Sequence, residues 1–497
     1  MAGFQNGDPG ELVAILADWA AGDAPLYRQL ADGVGRAVDA GDVQPGDRLP
    51  SERDLARLLA VSRATVTAAY DELRARGVVD SRRGSGTRIS RELRPRKPGA
   101  DGRVPGGQAT SIFQRLVDGH SDVISLAFAV ETAAPELGDA LRDLVRDDLP
   151  HLLADLGYHP RGFPPLREAV AADFTAAGLP TVADQVLVTT GASQAISLVT
   201  QMYVPKGATV IVESPSWPGC LDVFRAAGAR LVGVPLDAEG IRVEGVARAL
   251  AEHTPALLYV MPTYHNPTGT LMSAVRRRQI ADLAARSGVP VLEDNAYATY
   301  AGPGRPVPTP EPVAASAPEH ATVLTLASLA KAVWGGLRIG WIRGAADTIE
   351  RLARHKALAD LGSPVLDQAL AARLLPRLPE LAAARADILS GRLDRLSLLL
   401  EAHLPDWRWR VPDGGSALWV ELPDTDAQVF AQVALRHGVE VVPGSAMDPT
   451  GAHDTHIRLP FTFSGDTLAE LVRRLSGAWA ELAQDGSPAR DPLRPMV

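Results

Sequence analysis

An amine condenses with a carbonyl only after losing its proton, which desolvation or a nearby cation promotes. The run Ser328-Leu329-Ala330-Lys331-Ala332-Val333-Trp334-Gly335-Gly336-Leu337-Arg338 contains a lysine placed for such chemistry. Arg338, seven residues beyond Lys331, offers a planar fork of donors suited to a phosphate dianion, and the Ser328 hydroxyl can reach the same oxygens. Together they can hold an aldehyde cofactor and its phosphate. Taken alone, a lysine beside glycines is more often a solvated surface group.

A pyridine-ring aldehyde needs an anion at its ring nitrogen, because the protonated ring withdraws electrons from a carbanion at the substrate carbon. In Glu293-Asp294-Asn295-Ala296-Tyr297, Asp294 ends an apolar run and is the candidate anion. Tyr297, and Asn266 within His265-Asn266-Pro267-Thr268-Gly269, can donate to the phenolic oxygen of such a ring. Trp217, within Glu213-Ser214-Pro215-Ser216-Trp217-Pro218-Gly219, can stack on its face. Thr189-Thr190-Gly191-Ala192-Ser193-Gln194 leads from a strand into a helix, so Ala192 and Ser193 present free amides to a phosphate. Arg458, in His456-Ile457-Arg458-Leu459, suits a bidentate pair with a carboxylate. Each piece also has a bland reading as a turn, a cap or a core aromatic; their joint order is harder to explain that way.

The elements that must position these residues are strand-like runs at Gln185 to Val188, Thr209 to Val212, Leu257 to Val260, Val289 to Leu292 and Val323 to Leu326. They alternate with helical segments, which predicts an α/β domain with a mostly parallel sheet covered by helices. From Ser363 the pattern is helical through Leu399, then mixed, with strands expected at Ala417 to Glu421, Val439 to Val442 and His456 to Leu459.

Length and charge point to a second unit. At 497 residues the chain exceeds one ordinary core, given about 150 residues per domain. Its net charge of -9 is uneven: residues 25 to 97 hold 15 Lys+Arg against 10 Asp+Glu, leaving 35 against 49 elsewhere. A basic segment on an acidic body is how a polyanion reader is attached to something else. The single cysteine, Cys220, excludes an intrachain disulfide, no apolar run approaches the roughly 20 residues of a membrane span, and no secretory signal is evident. A cytoplasmic location is expected.

In the basic segment, Leu26, Leu30, Val34 and Val38 recur every four residues and mark a helix stopped by Gly41. Ser51 and Asp54 form an approximate capping box opening a second helix through Leu59, and Ser62 opens a third to about Arg76. Two short strand-like segments around Gly84-Ser85-Gly86 complete a winged helix-turn-helix. The third helix would enter the major groove of double-stranded DNA, with Ser62, Arg63, Thr65 and Thr67 at its mouth. Arg48 and Arg53 flank the motif where phosphates would lie, and Arg82, Arg83 and Gly84 of the wing would enter the minor groove. The expected divisions are an extension at 1–24, this domain at 25–90, a flexible linker at 91–111, a body at 112–485 and a tail at 486–497.

Pro25-Leu26-Tyr27, Gly46-Asp47-Arg48-Leu49-Pro50-Ser51-Glu52-Arg53-Asp54-Leu55-Ala56 and Val61-Ser62-Arg63-Ala64-Thr65-Val66 closely resemble the GntR-type winged helix. The body resembles fold-type I, class I aminotransferases, which implies pyridoxal phosphate on Lys331 and a mostly parallel seven-stranded sheet plus a smaller α+β domain. By that resemblance Tyr158, in Gly157-Tyr158-His159-Pro160-Arg161-Gly162, reaches the phosphate of a neighbouring subunit, implying a domain-swapped homodimer. Ala192 and Ser193 stand where the family often has Ser and Gln, and Ala330 where a serine commonly precedes the lysine. That weakens the expected phosphate grip, leaving Arg338 and Ser328.

A GntR-like reader on an aminotransferase-like body is the arrangement of the MocR regulators, which the whole chain resembles. The resemblance implies a regulator that senses an amino compound or pyridoxal phosphate through the Lys331 aldimine and alters operator binding. The alternatives are a working class I/II aminotransferase with an accessory DNA-binding domain, and a DNA-binding scaffold that has lost its cofactor.

Overall fold

The computed structural model describes residues 9–16, 19–20, 24–82, 86–91, 123–302 and 311–484. The expected linker beyond residue 91 and the expected tail lie outside the described residues, as do Arg83 and Gly84 of the wing.

The N-terminal unit comprises α1 (Pro9–Leu16), α2 (Leu26–Ala40), α3 (Glu52–Leu58), α4 (Arg63–Ala75) and the antiparallel hairpin β1 (Val79–Arg82) and β2 (Gly86–Ile89). Its boundaries are set locally. Gly41 closes α2 at φ +80, a left-handed position glycine takes at no steric cost. The Ser51 and Ser62 hydroxyls accept the amides of Asp54 (3.2 Å) and Thr65 (3.1 Å), capping α3 and α4. Between them Ala60 turns the chain at φ +49. Leu30 and Val34 of α2 pack with Leu55, Val66, Tyr70 and Leu73, and the Tyr70 hydroxyl donates to the Pro50 carbonyl at 2.9 Å. Helix α1, expected only as part of an extension, adds Leu12, Val13 and Leu16 to the same core, followed by Trp19.

The body opens with β3 (Ile124–Ser125), α5 (Glu136–Asp147), α6 (Leu149–Ala154) and α7 (Pro164–Ala176). Its sheet region runs through β4 (Val186–Thr189), α8 (Ala192–Tyr203), β5 (Thr209–Ser214), α9 (Pro218–Ala226), β6 (Arg230–Asp237), β7 (Gly240–Ile241), α10 (Val243–Glu252), β8 (Pro255–Val260), α11 (Ala274–Ser287), β9 (Val291–Asp294), β10 (Val323–Ser328), β11 (Gly340–Arg343) and α12 (Ala346–Asp360). The remainder is α13 (Val365–Leu374), α14 (Leu378–His403), β12 (Arg408–Trp409), β13 (Ala417–Glu421), α15 (Ala427–Arg436), β14 (Val439–Glu440), β15 (Val442–Pro443), β16 (His456–Pro460) and α16 (Gly465–Gln484).

The main sheet has the order β4-β11-β10-β9-β8-β5-β6-β7. From β10 to β6 neighbours are parallel, while β11 runs against both its neighbours. Eight strands replace the expected seven because the chain doubles back after Asp237 and adds the two-residue β7 to β6. Strands β6 and β11 have no counterpart among the expected runs. Strands β4, β5 and β9 are buried on both faces, which accounts for their near-continuous apolar sequence. The second sheet, β12-β13-β16-β15, packs with α14, α15 and α16 into a core continuous with that of the main sheet. The single strand expected from Val439 to Val442 is two: β14 pairs in parallel with β3, and β15 pairs with β16.

Candidate cofactor site and nucleic-acid interface

Strands β4, β5, β8, β9 and β10 end on one edge of the sheet, where ligands of parallel sheets bind. At or just beyond each end lie expected site residues: Ala192 and Ser193, Trp217, Asn266, Asp294 with Tyr297, and Lys331. The fold thereby gathers residues spread from position 192 to position 331 of the sequence.

Asp294 is buried, with Oδ2 accepting the Tyr259 hydroxyl (2.7 Å) and Oδ1 the Ala296 amide (2.9 Å). Burial raises its carboxyl above the ordinary range, against those two hydrogen bonds and the nearby Lys331. A carboxylate so placed gains from facing a cation such as a protonated ring nitrogen. Asn266 Nδ2 donates to the Tyr297 hydroxyl at 3.4 Å, so the two residues expected on the phenolic oxygen meet. The Lys331 Nζ lies 4.7 Å from the Tyr297 ring centroid and donates to the Ala129 carbonyl at 2.9 Å. Burial pushes the Tyr297 phenol up, but the Lys331 ammonium and the Arg458 guanidinium prevail and bring it below its ordinary value.

The phosphate corner is built by close backbone approach. Gly191 has φ +108, and a Cβ on Gly340 would stand 2.8 Å from the Gly191 Cα, so β11 can pass the loop only as glycine. Arg338 donates to the Thr190 carbonyl at 2.6 Å, beside the open amides of α8, and remains exposed. The Ser328 hydroxyl is engaged locally: it donates to the Ile339 carbonyl (3.2 Å) and accepts the Ala330 amide (3.1 Å), fixing the turn that carries Lys331. The Trp217 ring folds back over Gly219, where a Cβ would come within 2.4 Å of it.

Arg458 is buried on β16 and its Nη2 donates to the carbonyls of Leu126 (3.0 Å) and Ala127 (2.5 Å), while Nε has no partner among the described residues. A buried donor without a partner costs free energy that an incoming carboxylate would recover. Tyr158 projects outward, 70% exposed, in a cleft shared with Arg161, Arg167, Glu350 and Arg354. Leu153 and Leu156, just before it in the chain, and Leu358, next to Ala357 of that cleft, are exposed as well.

Four contributors were given no role by the sequence: Tyr259, the Ala129 carbonyl, and the pair Glu213 and His265. A tyrosine near the C-terminal end of a buried parallel strand was the available signal for Tyr259. Glu213 accepts the Met261 amide at 2.6 Å, and its Oε2 lies 3.4 Å from His265 Nε2. Burial pushes the Glu213 carboxyl up to about 8 and the His265 imidazole down to about 3. At neutral pH this is therefore a contact between two uncharged groups rather than an ion pair.

In the winged helix, Arg63 is 73% exposed and its Nε and Nη2 both donate to Glu52 Oε2 (3.1 and 3.0 Å). Ser62 and Thr65 share a hydroxyl contact of 2.9 Å, and the Thr67 hydroxyl donates to the Arg63 carbonyl at 3.0 Å. Arg48 and Arg53 are exposed, and Arg48 bridges to Arg88 of β2, so its side chain lies against Gly86. Arg82 ends β1.

A parallel sheet carrying a lysine, an aspartate and a phosphate loop on one edge, fused to a winged helix, defines a DNA-reading protein with a pyridoxal-phosphate-binding body. Comparison with known proteins gives the family. Residues 155–475 match Aminotransferase class I and II, and residues 26–89 match Bacterial regulatory proteins, gntR family. The uncharacterized HTH-type transcriptional regulator YisV of Bacillus subtilis is 33% identical over 91% of this chain and 97% of its own length. The "Probable rhizopine catabolism regulatory protein MocR" of Rhizobium meliloti is 30% identical over 64% of this chain and 65% of its own. Among solved structures, an α-aminoadipate aminotransferase from Thermus thermophilus superposes with a TM-score of 0.66 at 28% identity, covering 76% of this chain and 96% of that one. The chain belongs to the MocR-like GntR-family regulators with an aminotransferase class I/II domain, and its cofactor is pyridoxal phosphate. No helix among the described residues is long and apolar enough to cross a membrane.

Proposed function

We propose that the protein is a cytoplasmic transcriptional regulator whose body senses an amino compound, or pyridoxal phosphate itself, and alters the binding of double-stranded operator DNA. The reading is supported most by one observation: Lys331, Asp294, Asn266, Tyr297 and Arg458 converge in a chain whose winged helix touches the body. That contact runs from Trp19 Nε1 to Gln432 Oε1 (3.1 Å) and from Arg436 Nη1 to the Leu59 carbonyl (3.4 Å).

Bound pyridoxal phosphate supplies an electrophilic carbon and an electron-withdrawing ring that acidifies the α-carbon of an amino compound. The residues here would do the rest. Lys331 would give the amine, and Asp294, held by Tyr259, would serve the ring nitrogen. Asn266 and Tyr297 would bind the phenolic oxygen, and Trp217 would stack on the ring. The amides of Ala192 and Ser193, with Arg338, would take the phosphate, and Ser328 would join them by releasing the Ile339 carbonyl. Arg458 takes the carboxylate of the amino compound. Tyr158, with the exposed leucines around it, serves a second copy of the chain, so a domain-swapped homodimer completes each site. On DNA, Arg63 reads a base edge, Ser62, Thr65 and Thr67 line the groove, Arg48 and Arg53 hold phosphates, and Arg82, Arg83 and Gly84 form the wing contact. The test is one titration read twice, by cofactor absorbance and by operator affinity, across amino acids, amines and pyridoxal phosphate. Compounds that change absorbance while operator affinity stays constant throughout would overturn the sensor.

The bare Nε of Arg458 beside a full complement of cofactor groups also suits a working aminotransferase. Steady-state assays with amino and keto acid pairs separate the two: rapid multiple turnover favours the enzyme, slow or absent turnover the sensor.

A further inference from the structure

The segment from Ile124 to Glu131 is the first described stretch after the winged helix, and it is held down by the site itself. Arg458 Nη2 donates to the carbonyls of Leu126 and Ala127, and Lys331 Nζ to that of Ala129. Downstream, the buried Glu131 carboxylate clamps the segment to α14 through Arg385 (3.3 Å) and Arg392. Upstream, the amides of Ile124 and Leu126 donate to the carbonyls of Gly438 (2.9 Å) and Glu440 (2.8 Å), joining β3 to β14.

What lies behind β14 gives this arrangement a direction. Only His437 and Gly438 separate β14 from α15, and α15 carries Gln432 and Arg436, the two side chains that reach Trp19 and Leu59 of the winged helix. Ala60, the turn between α3 and α4, packs against the same body core. Four successive contacts therefore connect the carboxylate-binding guanidinium to the DNA reader: Arg458 to the 126–127 carbonyls, β3 to β14, β14 to α15, and α15 to Trp19 and Leu59.

The Arg458 fork is half spent. Nη2 serves two neutral carbonyls while Nε, buried, has no partner among the described residues. A carboxylate arriving side-on takes Nε and Nη2 together, adding a second, parallel hydrogen bond and a full opposite charge that a single carbonyl lacks. We propose that Leu126–Ala127 is a strap whose carbonyls compete with the effector's carboxylate for Arg458, and that its displacement passes through β3, β14 and α15 to the winged helix. This rests on the reading that Arg458 receives a carboxylate. A side-on carboxylate uses Nε and one of the two Nη2 hydrogens, so occupancy by the effector displaces one of the strap's two carbonyls and loosens its attachment. Binding at the site is thereby converted into a shift of β14, a two-state element that both ends can bias.

The test is a double-mutant cycle on operator affinity with no small molecule added, using the full-length protein with its cofactor. Arg458→Gln removes the strap's donors and Gln432→Ala cuts the link to Trp19. Arg458→Gln should speed amide exchange in a peptide spanning 123–131 and shift operator affinity by at least about 5-fold, the low end of typical couplings. Adding Gln432→Ala should cancel most of that shift. Unchanged exchange in Arg458→Gln, or effects that multiply independently in the double variant, overturns the proposal. Arg458→Lys, which keeps the buried cation and loses the fork, carries the same test if Arg458→Gln does not fold. The sensor reading fails separately, through an operator affinity in the unmutated protein that no amino compound moves.

Discussion

Replacing Glu213 with glutamine removes a proton-binding group that the fold has moved far from its ordinary range while keeping its size and its place beside His265. Burial shifts Glu213 from 4.5 to about 8 and His265 from 6.5 to about 3. Between pH 4.5 and 6.5 the two oppose each other. The unfolded chain has released the Glu213 proton that the native state keeps, which lowers stability as pH rises; it still binds a His265 proton that the native state rejects, which raises it. Above pH 6.5 the unfolded imidazole sheds its remaining half proton, a contribution common to the parent and the glutamine variant, so Glu213 alone sets the difference between the two. The native state then holds up to one more proton than the unfolded state, so stability falls by as much as ~1.4 kcal/mol per pH unit, or about 2 kcal/mol between pH 6.5 and 8. The neighbouring Asp294, Cys220 and Tyr259 are common to both variants, so their own titration largely cancels in the difference. Urea unfolding of cofactor-stripped protein at steps from pH 6.5 to 8 measures this, the glutamine variant losing about 2 kcal/mol less than the parent. Parallel stability lines over that interval would refute the neutral-pair account and return Glu213 and His265 to a conventional ion pair.

Other outcomes are expected at the two sites. Arg63→Ala should weaken operator binding by about 1 to 3 kcal/mol, the usual worth of a bidentate base contact, and leave cofactor absorbance intact. Its stability should hardly change, because the Glu52 pair it breaks is solvent-exposed; normal operator affinity in a gel-shift titration would remove Arg63 from the reader. Lys331→Ala should abolish the absorbance of covalently attached cofactor while the fold and the dimer persist, as read by spectroscopy and gel filtration. Gly219→Ala should weaken cofactor binding, since the new methyl would lie 2.4 Å from the Trp217 ring and drive it from its place; an unchanged dissociation constant would show that Trp217 does not cover the cofactor.

Much of this was legible in the chain because the signals were local or ordered. Ser51, Ser62 and Gly41 act within a few residues of themselves, so the ends of α2, α3 and α4 could be read from neighbours. The cofactor residues were legible for a different reason: in a parallel sheet every strand delivers its C-terminal end to the same edge, so Asn266, Asp294 and Lys331, each just beyond or at a strand's end, meet without any contact having to be inferred. Local reading also had a cost. Thr67 was expected at the mouth of the groove, and the structure has its hydroxyl donating to the Arg63 carbonyl of its own helix.

The sequence by itself determined the two units, the chemistry each is equipped for and the order of the parts, since these depend on residue type and short spacing. Only the tertiary structure decided what those parts lean on. Tyr259 reaches Asp294 from 35 positions away, Lys331 finds Ala129 across 202, and Arg458 finds Leu126 across 332. The helix α1, blank as a motif, became part of the reader's core. Contacts at such separations are set by how sheets and helices pack, and the strap atoms at the site are backbone carbonyls, which every residue carries and no residue type can announce.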